Sequence, residues 1–414
     1  MTVIKVIKSF FKNHYYAIGF FTFLWAYAIA VVGDFKSWEI YDVVYSFHAV
    51  DYSMGFASKI LVGAVYQFFF GEINRETMII FDKIVLCIIF AVSSVLLEKL
   101  MLHTEEKHRK TAFFILMFFL TGTPTFTAYV FALGMLDTFF VVFALLFIIF
   151  LSYKYSRWFL IIPLIGVVMV HYASMICFAP AMVLLALYKI SCTEKKNEKT
   201  VLWISLSIGF AAMMALFIYL LFFEVDNIKY TFEEFNEIMR ERGAVQFDYY
   251  ATAFFRKPYS TPERYENIIA VEGEVGLSKF FALLIQQAQI TLKLLNANNG
   301  IMIFILLLPL SYFLFKFLYN QVKENKENKL KVFTFICMGL LFFATLICAP
   351  FVSSDSVRWV DHSFFILFSE VLYILYHEGS KAWDYVEREF SKTPVVLLVM
   401  YFLVYANTIH CPYT

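Results

Sequence analysis

The side chains of this sequence that could do chemistry fall near the ends of predicted membrane helices, all toward one face. They are Asp34, Asp51, Lys59, Asp137, His171, Asp355 and Arg358, with Asp361 close to the last two. A charge at membrane depth costs roughly 2.5–3.5 kcal/mol on insertion scales, so charges retained there are candidates for function. Hydration at a helix end is the simpler explanation for any one carboxylate. For the whole set on one face, a shared site is the better interpretation.

Asp34 is the best candidate for a general base. A carboxylate beside an apolar wall holds a proton more readily than one in water, and it can take a proton from an acceptor hydroxyl. Asp51 is the runner-up, although it could instead cap the helix that starts near Ser53. Asp137 ends the segment Gly134-Met-Leu-Asp137. It could orient an acceptor or a divalent metal, or it could cap the next helix.

Arg358 is the candidate for binding a phosphate, because its planar guanidinium grips phosphate oxygens and keeps its charge in apolar surroundings. Lys59 would add positive charge, and His171 could be a second acid or base or a phosphate partner. Each has a plain alternative. Arg358 could pair locally with Asp355 or Asp361, Lys59 could reach up to the membrane surface, and His171 could be hydrated.

The composition indicates a membrane protein. Hydrophobic residues make up 61% of the chain and charged residues 16%. Several apolar runs approach the ~20 residues that cross a hydrocarbon core, where helices are the expected form. The net charge of +1 gives no bulk attraction to nucleic acid. The six cysteines form no paired motif, so neither a disulfide framework nor a zinc site is expected.

The predicted fold is a single all-α polytopic domain over residues 1–414 with about eleven transmembrane helices. Basic residues in Met1–His14 place the N-terminus in the cytoplasm. The apolar stretch that follows has no small-residue cleavage site, so it is expected to stay as the first crossing. The predicted crossings are Tyr15–Val32, Met78–Leu97, Thr111–Phe131, Thr138–Leu151, Trp158–Val170, Ala173–Leu187, Val201–Phe223, Gly300–Tyr319, Val332–Pro350, one that ends near Tyr376, and Pro394–Thr408.

Two outer loops stand out. The first, 33–77, is predicted to hold two juxtamembrane helices: the amphipathic Trp38–Val50 and the short, glycine-containing Gly55–Phe70. If Gly55–Phe70 does not cross, the basic loop Lys99–Lys110 lies in the cytoplasm, as the lysine and arginine bias prefers. The second loop, 224–299, has its own structure. It includes a capping box formed by Thr231 and Glu234, followed by a short amphipathic helix.

This layout resembles the integral-membrane GT-C glycosyltransferases, which have a long first outer loop with two juxtamembrane helices and an essential Asp after the first crossing. Asp34 takes that position here, and Trp38–Val50 and Gly55–Phe70 match the two helices. The resemblance implies a polyprenyl-phosphate-linked sugar donor, a glycan, lipid or protein acceptor, and a site on the extracytoplasmic face of the cell membrane. The donor phosphate would lie near Arg358 and Lys59. No cofactor is fixed by this resemblance, and a divalent metal is left open.

Two other functions fit parts of the sequence. A polysaccharide polymerase or ligase of the O-antigen type would rely on outer-loop arginines and a histidine. Candidates for these are Arg240, Arg242, Arg256, Arg264 and His171. A transporter of lipid-linked glycans would need charged residues near the membrane midplane around a central cavity, whereas the candidates above lie toward one face.

Overall fold

The computed structural model describes residues 13–32, 40, 42–71, 73–122, 125–126, 129, 133–244, 255, 282, 285–286, 289, 300–348 and 356–392. Within these residues the regular structure is helical, apart from one isolated bridge between Gly55 and Ile228. The helices are α1 (Tyr15–Val32), α2 (Asp42–His48), α3 (Ile60–Phe70), α4 (Arg75–His103), α5 (Arg109–Thr121), α6 (Leu136–Ser152), α7 (Ile161–Val170), α8 (Phe178–Cys192), α9 (Lys196–Phe223), α10 (Phe232–Glu241), α11 (Gly300–Glu324), α12 (Lys329–Phe343), α13 (Ser356–Glu378) and α14 (Ser380–Lys392).

The described helices confirm an all-α membrane protein. Four of them are long and apolar enough to span a membrane, judged by length and composition: Arg75–His103, Lys196–Phe223, Lys329–Leu346 and Trp359–Glu378. Shorter apolar helices pack among them at Tyr15–Ala30, Ile60–Phe70, Leu136–Ser152, Arg157–Val170 and Phe178–Cys192. The total of eleven crossings stays a prediction, and the expected crossing Pro394–Thr408 lies outside the described residues.

The bundle has two ends because consecutive long helices pack antiparallel. His14, just before α1, lies 2.9 Å from Glu98 near the end of α4. We call the end that holds Glu98 and Arg157 the inner end. The opposite end, which holds Lys59 and Asp137, is the outer end. Both names follow the predicted orientation.

Helix α4 has clear local start and stop signals. The Asn74 side chain accepts a hydrogen bond of 2.8 Å from the Glu76 amide, and an acidic first turn suits a helix N-terminus. His103 ends the helix, where a basic side chain is favoured. The helix is longer than the predicted crossing Met78–Leu97. Its extra turns carry Lys99 to the inner end.

Helix α3 lies across the outer end. The Lys59 amide before it donates to the Val170 carbonyl at the end of α7, at 3.0 Å. The Tyr66 hydroxyl in its second half lies 2.6 Å from Thr77 Oγ1 at the start of α4. Eleven residues rise only about 16 Å, too little to cross a hydrocarbon core. Both halves of the helix therefore contact outer ends, as expected for a segment that does not cross.

Helices α2 and α14 differ in part from the sequence interpretation. The amphipathic pattern of Trp38–Val50 predicts a polar, outward face on this helix, but Ser46 is fully buried, as is His48. Neighbouring segments cover this helix on both sides, which sequence periodicity does not report. The segment around α14 lies between the predicted crossing that ends near Tyr376 and the predicted crossing Pro394–Thr408, and no helix is predicted there. It forms a helix whose Asp384 lies 3.1 Å from Lys107 at the inner end.

Helix α13 runs through the centre of the bundle. Within Trp359–Glu378, 89% of the most apolar stretch of 18 residues is buried inside the protein. The helix packs against α8, α11 and α12. It ends at Gly379, whose φ of +62° suits glycine at a helix C-terminus. A helix with this little contact with lipid can carry polar groups along its whole length.

Candidate functional site at the outer end

The described residues include only part of the predicted site. Asp34 and Asp355 lie outside them, and for Arg358 the structure describes only the backbone position on α13. Asp51, Lys59, Asp137 and His171 are described with their side chains. The geometry of these four residues and their neighbours defines the candidate site.

Asp137 forms a buried polar contact with α13. It is the second residue of α6 and is 2% exposed. Its Oδ1 lies 3.3 Å from Nε2 of His362, and Nδ1 of His362 lies 2.9 Å from the Tyr129 hydroxyl. A neutral imidazole satisfies both contacts when Nε2 carries the proton toward the carboxylate and the Tyr129 hydroxyl donates to Nδ1. The contact therefore joins the first turn of α6 to the first two turns of α13.

Arg358 lies close to this contact along the helix. It precedes His362 by four residues, a spacing that puts two positions on the same side of a helix. Trp359 packs its ring against His362, with centroids 5.7 Å apart. The Trp359 indole N–H is buried and has no acceptor among the described residues. This end of α13 thus has an unused hydrogen-bond donor one residue from Arg358.

A second histidine–aspartate pair lies near the first. Nε2 of His48 on α2 is 2.9 Å from Oδ1 of Asp82 on α4, and both side chains are fully buried. Burial alone would lower the pKa of His48, but the Asp82 carboxylate and the hydrogen bond with the Val44 carbonyl together outweigh it, and the pKa is raised above the usual histidine value. Oδ2 of Asp82 has no hydrogen-bond partner among the described residues.

The turn at Gly134 connects the two pairs. Gly134 has a φ of +77°, and a Cβ there would lie 2.2 Å from Oδ2 of Asp82. This close approach explains why glycine is needed at the start of the Gly134-Met-Leu-Asp137 segment. Three residues later, Asp137 reaches His362. The outer end is therefore crossed by one buried polar layer, from α2 through α4 and the turn to α13.

Lys59 and His171 come together at the end of α7. The Lys59 amide donates to the Val170 carbonyl at 3.0 Å, and its φ of +69° is rare for a residue other than glycine. Its ammonium lies 5.9 Å from the ring centroid of Tyr172. Nδ1 of His171 accepts from the Ala173 amide at 3.0 Å, so this ring caps the following turn. Two of the predicted binding residues are thus neighbours.

Asp51 holds the long outer segment in place. Its Oδ1 accepts from the Ser53 amide at 2.6 Å, and its Oδ2 pairs with Arg242 at 3.0 Å. Partial burial alone would raise the pKa of Asp51, but the hydrogen bonds from Ser53 and the Arg242 guanidinium lower it below its usual value. Arg242 also donates to the Ala49 carbonyl. Since both oxygens are engaged, Asp51 is a weaker candidate for the base than an unpaired carboxylate would be.

Several polar residues of this bundle were missed by sequence reasoning. They are His48, Asp82, Tyr129, His362 and Glu370. The available signal was an ionisable residue inside an apolar run, which marks a functional position by default. Glu370 is the clearest case: it is fully buried in α13, and neither carboxylate oxygen has a partner among the described residues.

No group of three potential metal ligands occurs in the part of the chain that the structure describes. No protein-family model, curated protein or solved structure matches this chain. Residue chemistry and geometry are therefore the basis for assigning a function to this chain.

Proposed function

We propose that this protein is a GT-C type glycosyltransferase of the cell membrane, built from about eleven membrane helices. It moves a sugar from a polyprenyl-phosphate carrier to a surface glycan, lipid or protein acceptor on the extracytoplasmic face. Asp34 is the general base, and Arg358 binds the carrier phosphate. Lys59 and His171 contribute to phosphate binding at the same end of the bundle.

The contact between Asp137 and His362 carries this proposal. It spans 3.3 Å and fixes the first turn of α6 against the first two turns of α13, four residues from Arg358. A transferase needs its phosphate-binding group held rigidly, since misplacement of a binding residue by about 1 Å can cost 100-fold in rate. Asp137 and His362 act as positioning residues for Arg358 in this interpretation.

The reaction is an inverting displacement. The acceptor hydroxyl oxygen attacks the anomeric carbon, its proton passes to the Asp34 carboxylate, and the bond from that carbon to the phosphate oxygen breaks. The phosphate oxygen takes the electron pair and leaves with the polyprenyl chain. The Arg358 guanidinium stabilises the charge that develops on the phosphate. The protonated carboxylate then returns its proton to water.

The test is sugar transfer by the full-length chain in proteoliposomes, using a panel of polyprenyl-phosphate hexoses labelled in the sugar and membranes of the source cell as acceptor. Asp34→Asn should lower the rate by at least about 100-fold, the usual contribution of a general base. Arg358→Gln should also lower the transfer rate, because it weakens binding of the carrier phosphate. Glu39→Gln, in the same outer loop, is the control and should leave the rate within a few-fold. Loss of transfer in the Glu39 variant but not in the Asp34 variant would contradict the assignment.

The polymerase or ligase alternative is tested by the same assay. It predicts that an arginine of the long outer segment is essential and that Asp34 is not. Arg242 pairs with Asp51 and with the Ala49 carbonyl, so its replacement should mainly affect folding of this loop. An Arg256→Gln or Arg264→Gln variant that abolishes transfer while Asp34→Asn retains it would favour the polymerase.

Glu370 favours a transporter as the second candidate, because a carboxylate that is buried in the central helix, with no partner among the described residues, is typical of proton or ion coupling. The discriminating measurement is movement of a labelled polyprenyl-linked sugar across sealed vesicles. Glu370→Gln should abolish movement if the protein is a coupled transporter. It should leave sugar transfer intact if the protein is the proposed transferase.

A further inference from the structure

The inner end contains a crevice of about 580 Å³ between α4, α5, α6 and α13. Its mouth lies at Lys99, Tyr153 and Tyr376, and its floor at Phe126 and Phe365. Phe365 and Tyr376 are eleven residues apart on α13, so the crevice extends about 16 Å along the bundle. This depth and volume are within the range of ligand-binding cavities.

The walls of the crevice are mostly hydrocarbon. Leucines of α4 and α13 and Leu145 and Ile148 of α6 form its sides, and no carboxylate is among the described residues that line it. Two buried hydroxyls line it, Ser93 Oγ and Tyr373 Oη. Neither has a hydrogen-bond partner in the described part of the chain. The interior therefore suits an apolar chain along most of its length, and the two hydroxyls can donate to a polar group such as an ester carbonyl.

The mouth holds a cation. The Lys99 ammonium donates to the Tyr153 hydroxyl at 2.5 Å and lies 4.4 Å from the centroid of that ring. Arg157 and Lys331 at the same end each pair with a glutamate, whereas no described carboxylate lies within ion-pair distance of Lys99. An ammonium has three donors, so Lys99 keeps donors for an anion outside the protein.

The edge of the crevice faces the surroundings of the bundle. Leu102, on the α4 side of the mouth, is 49% exposed, and Tyr153, on the opposite side, is 52% exposed. A tyrosine with an apolar ring and a polar tip suits the boundary between hydrocarbon and water. The crevice thus combines a deep apolar interior, a mouth lined by one lysine with His103 close by, and an interfacial edge.

We propose that this crevice holds one hydrocarbon chain of an anionic glycerophospholipid from the cytoplasmic leaflet, with the phosphate diester bound by Lys99. The single charge of a diester matches the single lysine. A polyprenyl monophosphate would carry about 1.5–2 negative charges at pH 7 and would call for more cations. The site is independent of the proposed sugar transfer, which takes place at the outer end.

Native mass spectrometry of the purified full-length chain tests this proposal. The protein is equilibrated with phosphatidylglycerol and phosphatidylcholine of identical chains, and retained lipid is counted. One molecule of phosphatidylglycerol should be retained, with roughly fivefold preference over phosphatidylcholine. This is the preference expected from one lysine beside an anionic headgroup. Lys99→Gln should lose the preference, and Lys99→Arg should keep it. Ser369→Leu, which fills the crevice, should lower retention of both lipids.

Lys154→Gln is the matched control, because Lys154 is an exposed lysine next to Tyr153 that does not line the crevice. It should behave as the parent chain. Equal retention of the two lipids by the parent, or an equal effect of Lys154→Gln, would overturn the proposal. Displacement of phosphatidylglycerol by an equimolar polyprenyl phosphate would overturn it in favour of an isoprenoid occupant. No retained lipid in the parent would also overturn it. Thermal unfolding of each variant checks that it is folded.

Discussion

The outer and inner ends of the bundle hold their charged side chains in different ways. At the outer end two histidine–aspartate pairs are almost fully buried, His48 with Asp82 and Asp137 with His362. At the inner end each described ion pair has at least one partly exposed side chain, as in Lys331 with Glu378, where 12% and 18% of the side chains are exposed. Complete burial of a pair removes its water, which costs free energy. The inner pairs keep part of their hydration, so their desolvation cost is smaller.

The difference indicates what each end does. A partly exposed pair adds modest stability and tolerates change, because water can replace a lost partner. A fully buried pair adds little net stability but penalises any arrangement that breaks it, so it fixes geometry. The outer pairs hold α2, α4, the Gly134 turn and α13 in one arrangement. That arrangement is where the proposed phosphate site lies.

The largest expected effect comes from breaking the His48–Asp82 pair. Asp82→Ala leaves a fully buried imidazole without its partner and should lower the free energy of unfolding by about 3–5 kcal/mol. SDS titration in mixed micelles measures it. The double variant His48→Phe with Asp82→Leu removes both polar groups and should recover most of the loss. A loss below about 1 kcal/mol in Asp82→Ala would show that the pair does not constrain the fold.

The same pair should give a pH dependence with a definite sign. Burial lowers the pKa of His48, but Asp82 and the Val44 carbonyl together raise it above the usual histidine value in the folded protein. Its stabilisation is therefore complete below the ordinary histidine pKa of 6.5 and is lost as pH rises through the higher folded value. In Asp82→Asn this decline with rising pH should disappear.

A smaller effect is expected at Gly134. Gly71 is the matched control, which isolates the role of the close approach between Gly134 and Asp82. Gly134 and Gly71 have nearly the same φ, +77° and +73°, but only Gly134 lies against Asp82, and nothing lies within 4 Å of a Cβ at Gly71. Gly71→Ala should cost about 1–3 kcal/mol of unfolding free energy for the positive-φ backbone alone. Gly134→Ala should cost at least about 1 kcal/mol more, because the carboxylate must move. Equal losses would mean that the turn does not rest on Asp82.

Local features of the fold were predictable, and pairings between distant residues were not. The bounds of α1 and the capping box of Thr231 with Glu234 match the structure, since apolar run length and capping are encoded within a few residues. The His48–Asp82 and Tyr129–His362 contacts join residues 34 and 233 positions apart. No local pattern specifies such a pair.

The candidate site shows the same limit. Sequence reasoning singled out Lys59, Asp137 and His171 because they are polar residues at predicted helix ends. It could not find that Asp137 meets His362, because that contact depends on how α6 packs against α13. It also placed the charges toward one face and missed Glu370 in the central helix, whose surroundings follow only from packing.

The smallest effect is expected at the inner end. Lys331→Gln removes the 2.6 Å contact with Glu378, but the Tyr188 hydroxyl still donates to the same carboxylate oxygen. Because the pair is partly exposed, the loss of unfolding free energy should be about 1 kcal/mol. The difference from the parent chain should shrink at high salt, which screens such a pair but does not reach the buried outer pairs. Lys329→Gln, an exposed lysine two residues away, is the control and should be neutral. A salt-independent loss as large as that of Asp82→Ala would remove the distinction between the two ends.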